Sequence, residues 1–556
     1  MSLIIGKSYS QYTPLEMQGL TPTEVSNISA QDVATLQSDQ LNALDGTQIA
    51  AISTDAIQAI SNDVISALSV DEVFSLITSQ IQAMSAGQVS ALTAAQVQVL
   101  STDNIKALSA DQIAALDAED VAAMTDAQVA TLDTTQLRAF VPNQIKQIGT
   151  SQLASITSTK FAQIEAEDFA ALTGDQIKSL TTAQVASLST TQLDSLQADQ
   201  LSNFSTAQIR ALAVGTLDSL SVSAVSGLTT AQVQAFSTAQ VAKFTPDQLT
   251  HFGDAQLGAI TSAQSDYLTT LALSQLSVSQ IQAIKPEALA AMDGANRIST
   301  LSMEQIAGLS TGQVSALTNA QVTALTTAQV RELTATQIGV LNSAQVSSIE
   351  TRDMALLTTS QFAAISGSAA TGLTVGQVEN LTNDQVATLN TAQVQSLDGT
   401  RIAAFTTAQI SQLGTAEVAV MSSAQLAAIE TKDLVNLTSG QIKSLSATAL
   451  AGLNTTIANQ VGSLTSDQVS SLTYEQVQAL STDQVKSLTS TQFGSLTDVQ
   501  VSAFSASQIA AIDSGDFAQL RIQAAAALTV TQLNAMTTTQ FAALTAAQIV
   551  GAITGG

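Results

Sequence analysis

The chain has 556 residues, no Cys, no Trp and one His, and 44 acidic against 17 basic residues give a formal net charge of −27. One His without Cys leaves Ser–His and Cys–His catalysis and ordinary zinc sites without their parts, so no enzyme activity is expected. A surface this poor in Lys and Arg offers little to phosphate backbones or anionic lipid, so neither nucleic acid nor a membrane is expected as a partner.

Residues 1–12 read as an N-terminal cap segment, and the opening "MSLIIGKSYSQYTPLEMQG" has no apolar core of signal-peptide length. Export, on this reading, proceeds without a cleaved N-terminal signal. From Thr13 to Ala552 an eight-residue unit repeats, as in "LTTAQVQAFSTAQVAKFTPDQLTHF" from Leu228 to Phe252. The octad pattern is Ser or Thr at position one, Gln at four, Val, Ile or Leu at five, usually Ala or Ser at seven and Leu at eight. The register runs unbroken from Leu20 to Met292, slips by one residue in "DGANRISTL" (293–301) and by three in "NTTIANQVGSL" (454–464). Three repeat segments are expected on that basis: 13–292, 293–453 and 454–556.

A hydroxyl followed three residues later by Gln or Glu, just before apolar residues, is the capping-box pattern of a helix start. Positions five and eight lie three apart and share a helical face. All five prolines (Pro14, Pro22, Pro142, Pro246 and Pro286) stand at position two, the first helical residue, where a missing N–H costs nothing. One continuous helix is excluded, because eight residues at 3.6 per turn rotate the apolar face by about 80° per unit. A helix of one octad is too short to persist alone. The expected fold is therefore all-α: an elongated α-solenoid of very short capped helices, one per repeat, each covered by its neighbours. The recurrent Gln has two readings: capping plus amide bonds between stacked units, or a Gln-lined recognition face.

Five octads carry an acidic residue at position one and Asp at four: Asp117 and Asp120, Glu165 and Asp168, Glu350 and Asp353, Glu430 and Asp433, and Asp513 and Asp516. Paired carboxylates could contribute to a Ca²⁺ site, since that ion takes several oxygen ligands. Acidic residues at a helix start are also favoured by the helix dipole alone, and Arg352 and Lys432 sit inside two of the octads. No other cofactor is expected. His251 stands at position seven with no partner at metal-ligand spacing. "TSAQSDYLTTLALSQL" (261–276), with Ser265 at position five, and "SGSAATGL" (366–373) read as bends or loops.

Tandem "LTTAQV.AL" units in an acidic, Cys-free chain resemble the octapeptide-repeat regions of large bacterial secreted or surface proteins of adhesin-like type. The resemblance implies an extracellular or cell-surface structural role. The function expected from sequence is a non-catalytic structural or adhesive repeat protein that self-assembles, as a homo-oligomer or polymer, into a filament, sheath or surface layer. The alternative is a solenoid binding scaffold for a protein, glycan or cell-surface partner.

Overall fold

A computed structural model describes residues 7–292, 295–456 and 459–555, with the side chains of 295, 296 and 555 excepted. Among these residues the chain forms 66 short α-helices and two 3₁₀ helices, Tyr9–Gln11 and Val214–Ser219, and no strand. It divides into two compact units, Met1–Ile284 and Lys285–Gly556. Each is an α-solenoid. Residues 1–6 of the expected cap segment, Asp293 and Gly294 of the first register slip, and residues 457–458 of the second lie outside the described residues.

The local signals act as their chemistry requires. In the octad Thr229–Phe236, Thr229 Oγ1 accepts from the Gln232 backbone N–H at 3.3 Å, and Gln232 Oε1 accepts from the Thr229 N–H at 2.8 Å. Two N–H groups that a helix start leaves without intrahelical partners are thereby satisfied. Where position one lacks a hydroxyl, as at Ile77 and Val141, the Gln still accepts from its backbone N–H, at 2.9 Å in both cases. Pro246 occupies the first turn of helix Pro246–Thr250, capped by Thr245. The octad 213–220, with Ala213 at position one and Thr216 at four, forms neither half of the box and folds as the tighter 3₁₀ helix, although octads 285–292 and 521–528 lack both halves and remain α-helical.

Packing follows from positions five and eight, which are buried throughout the interior of each unit. Helix Ala94–Val99 packs against Val70–Phe74 and Ala118–Ala123, three octads away on either side. The Gln amide reaches one octad further: Gln96 Nε2 donates to the carbonyls of Ile65 (2.9 Å) and Leu68 (2.7 Å), 31 and 28 residues earlier. Within each unit a coil therefore closes between three and four octads. Successive position-eight residues also meet: the rings of Phe236, Phe244 and Phe252 stack edge to face at 5.1 and 5.3 Å.

The register slips appear in the spacing of the amide bonds. Gln321, just past the first slip, donates 32 and 29 residues back, to Leu289 and Met292. Gln460, Gln468, Gln476 and Gln484 span the second slip and donate 31 residues back to Ile429, Leu437, Leu445 and Leu453, after which Gln492 returns to 28. The two stretches expected to bend keep the helices of the octad pattern, although Ala272 and Ala369 replace the Gln at position four. Ser265 is fully buried, its hydroxyl donates to the Ser262 carbonyl at 2.9 Å, and Gln264 makes the usual bonds to Val233 and Phe236. Residues 366–373 likewise form helix Gly367–Ala370. The sequence departures are absorbed because a Ser that bonds its own helix can fill an apolar slot.

One close approach was not read from the sequence. Of the seven octads with Ala at position four, three carry Gly at position seven: Ala224 with Gly227, Ala369 with Gly372 and Ala449 with Gly452. A Cβ on Gly227 would overlap the Ala198 backbone, and one on Gly372 the Ser343 backbone, three octads earlier. At these positions the neighbouring backbone approaches so closely that only glycine fits.

Candidate functional site

Each octad divides its positions sharply. Gln at four is buried, its Oε1 engaged by its own cap and its Nε2 by another coil. The Gln residues are thus consumed inside the solenoid, and the reading of a Gln-lined recognition face fails. Positions one, two, three and six face outward, as Thr229, Thr230, Ala231 and Gln234 do. This outward face is the surface on which any partner must land.

The acidic pairs do not converge. In each, the position-one carboxylate (Asp117, Glu165, Glu350, Glu430 or Asp513) is exposed at the helix start, while the position-four carboxylate (Asp120, Asp168, Asp353, Asp433 or Asp516) is buried where Gln would be. Three of the buried ones have evident partners. Asp353 Oδ1 receives Arg352 Nε at 3.3 Å, Asp433 Oδ1 the Thr407 hydroxyl at 2.5 Å, and Asp516 Oδ1 the Ser490 hydroxyl at 2.6 Å. The cations inside the octads pair locally: Arg352 with Glu350 at 3.4 Å and Lys432 with Glu430 at 2.6 Å. Among the described residues no group of three or more His, Asp or Glu is placed to hold a metal ion.

Asp120 and Asp168 differ. The residues matching Thr407 and Ser490 are Ala94 and Pro142, which have no hydroxyl to donate. Both carboxyl groups are 3–4% exposed. Burial pushes each up to about 6; the Asp117 N–H partly opposes this at Asp120, while Asp117 and Glu119, and Glu165 and Glu167 for Asp168, add to it. Glu72 belongs to the same stack. Helices Val70–Phe74, Ala94–Val99, Ala118–Ala123, Pro142–Ile145 and Ala166–Ala170 pack in succession, and every second one carries an acid at position four. Burial raises Glu72 as well.

His251 is half-exposed, its Nδ1 lying 2.8 Å from the Asp247 carbonyl oxygen, one turn back. A shallow groove of about 470 Å³ opens beside the 3₁₀ helix, lined by Thr190, Asp194, Asp218, Thr245 and Asp247. No helix among the described residues is long and apolar enough to cross a membrane.

The ALTTAQ repeat family model matches residues 161–198. No curated protein matches the chain. Two solved structures of the pentatricopeptide repeat protein PPR10, each in complex with an 18-nt psaJ RNA element and one carrying Cys-to-Ser substitutions, match at 11% identity and a TM-score of 0.14. Each match covers 91% of this chain and 92% of the other. The expected exclusion of nucleic acid is corrected: both of these PPR10 structures are complexes with RNA. Physically, a net charge of −27 is a sum over the whole chain and decides no local contact. A likeness at that TM-score assigns no partner to this chain.

Proposed function

We propose that the protein is a non-catalytic binding scaffold, a solenoid that takes up a protein or glycan partner on its outward positions. The observation that carries this is the separation of duties within the octad. Positions four, five and eight are spent on burial and on bonds between coils, whereas two, three and six lie on the outside, bond other coils at only a few places such as Thr407 and Asn42, and vary from octad to octad. Stacked repeats with a constant interior and a free exterior make extended binding surfaces. The variation favours a scaffold over a filament, sheath or layer, which repeats one contact many times. An extracellular or cell-surface setting is part of the proposal, supported by the Cys-free composition and the repeat style.

The test exchanges positions two, three and six over several octads, for instance 229–252, for the Ala, Ser and Gln found elsewhere in the chain. Circular dichroism should stay helical while binding on a panel of glycans and surface proteins changes. Unchanged binding after such exchanges in every segment would sink the reading.

A further inference from the structure

Most outward side chains are small or polar; single large apolar ones such as Leu271, Val499 and Ile522 are scattered along the chain, and one octad exposes two on a single helix. Residues 69–76 read "SVDEVFSL". Val70 and Phe74 stand four apart on helix Val70–Phe74 and share a face; they are 40% and 66% exposed. Ile77, directly before helix Thr78–Ala83, is 45% exposed. Phe74 is the only aromatic residue at position six of a regular octad.

The octad is also anchored differently. Glu72 replaces Gln, so no side-chain amide ties it to the octad 37–44, and its Oε2 is buried without a hydrogen-bond partner. The Ser69 N–H donates instead to Asn42 Oδ1 at 2.9 Å. Around it acidic groups predominate; Lys106, in the octad whose Asn104 bonds the Leu76 carbonyl, lies 3.9 Å from Asp103. Between Lys7 and Lys106 there is no Lys, Arg or His, against ten acidic residues, among them Asp55, Asp63 and Asp71.

We propose that Val70, Phe74 and Ile77 form a docking surface for a cationic amphipathic segment of a protein partner. Its apolar side chains would cover Phe74, and its Lys or Arg side chains would meet the surrounding carboxylates. An exposed aromatic flanked by aliphatics supplies the apolar anchor that interface hot spots share. The acidic excess selects the partner's sign and speeds its approach. It argues against the other occupants: a second copy would bring the same negative charge to the same face, and an anionic lipid surface would be repelled. This surface rests on the scaffold reading and names the partner chemistry for one part of it.

The test uses the full chain and a labelled Leu/Lys peptide of about 18 residues, about five helical turns with the leucines on one face. Anisotropy titration should show binding that weakens with salt. Phe74→Gln should weaken it roughly ten-fold or more, the scale of losing an aromatic anchor. Gln already occupies the matching position at Gln58, Gln82 and Gln98, so the variant should fold. Hydrogen exchange should show peptide protection centred on residues 69–77, and a Leu/Glu peptide of the same pattern should not bind. Equal affinity for Phe74→Gln and the parent chain overturns the proposal. So does a parent dimer that Phe74→Gln abolishes, which would make a second copy the occupant. Protection confined to other octads also overturns it while leaving the scaffold reading intact; that reading falls only by its own glycan and protein panel.

Discussion

Gln232 Nε2 donates to the carbonyls of Leu201 and Phe204 at 2.7 and 2.8 Å, joining octads that are four apart in sequence. Its Oε1 meanwhile holds the Thr229 N–H. One side chain thus starts its own helix and ends another, which explains why Gln recurs where Glu would cap equally well: Glu has no N–H to give the second coil.

Gln232→Met should therefore keep the packing volume and lose both ends. The buried carbonyls of Leu201 and Phe204 lose their amide donor and the Thr229 N–H its acceptor, at about 1–3 kcal/mol for a buried unsatisfied group. Hydrogen exchange should quicken in the octads 197–204 and 229–236 and stay unchanged in distant ones. An exchange pattern identical to the parent would count against the amide as the tie between coils.

Leu153 is fully buried at position five. Leu153→Ala should cost about 2–5 kcal/mol, felt within the neighbouring coils because each octad touches only those nearby. Exchange measured along the chain checks this; a uniform rise would contradict it.

Proline should be judged by its position. Thr230→Pro places the ring in the first helical turn, as Pro246 does, and should be nearly neutral. Val233→Pro removes the N–H that bonds the Thr229 carbonyl at 3.0 Å and should cost about 3 kcal/mol or more. Denaturation midpoints of the two variants compare them directly.

The pH dependence has a definite sign. Asp120 and Asp168 titrate near 6 when folded, above the ordinary Asp range of about 3.9 expected unfolded. Between those values the folded state binds more protons, so these groups lose stability as pH rises from about 4 through 6, with no further change above. Asp120→Asn with Asp168→Asn should abolish that component and raise stability at neutral pH. Asn104 shows why: its Nδ2 reaches the Leu76 carbonyl at 2.9 Å, supplying the donor a carboxylate lacks. Melting curves of parent and variant from pH 4 to 7 give the difference, and parallel curves would refute the assignment.

The helices, their caps and the inward faces were legible because every octad states them again: a hydroxyl, a Gln three residues on, and proline only at position two. The closure of a coil between three and four octads was not legible. An octad encodes which of its faces is apolar but not which neighbour that face will meet; that depends on how far the Gln side chain reaches and on the volumes at five and eight. The acidic pairs misled for a related reason. Three residues apart suggests two carboxylates side by side, yet at a helix start the cap residue turns outward while the third helical residue turns into the stack, as Glu165 and Asp168 do. Ser265 misled in the opposite sense, since a hydroxyl that bonds its own helix leaves an apolar slot undisturbed.

The amide bonds that step across the second register slip have an evolutionary corollary. Gln460 to Gln484 accommodate three extra residues by reaching 31 instead of 28 back, and Gln492 resumes the normal span at once. A solenoid that heals within one coil after an irregular insertion should heal without any trace after an insertion of whole octads. Unequal exchange between repeated gene segments would then lengthen or shorten the protein without breaking its interior. Molecular length becomes a matter of copy number, open to selection independently of what any single octad displays.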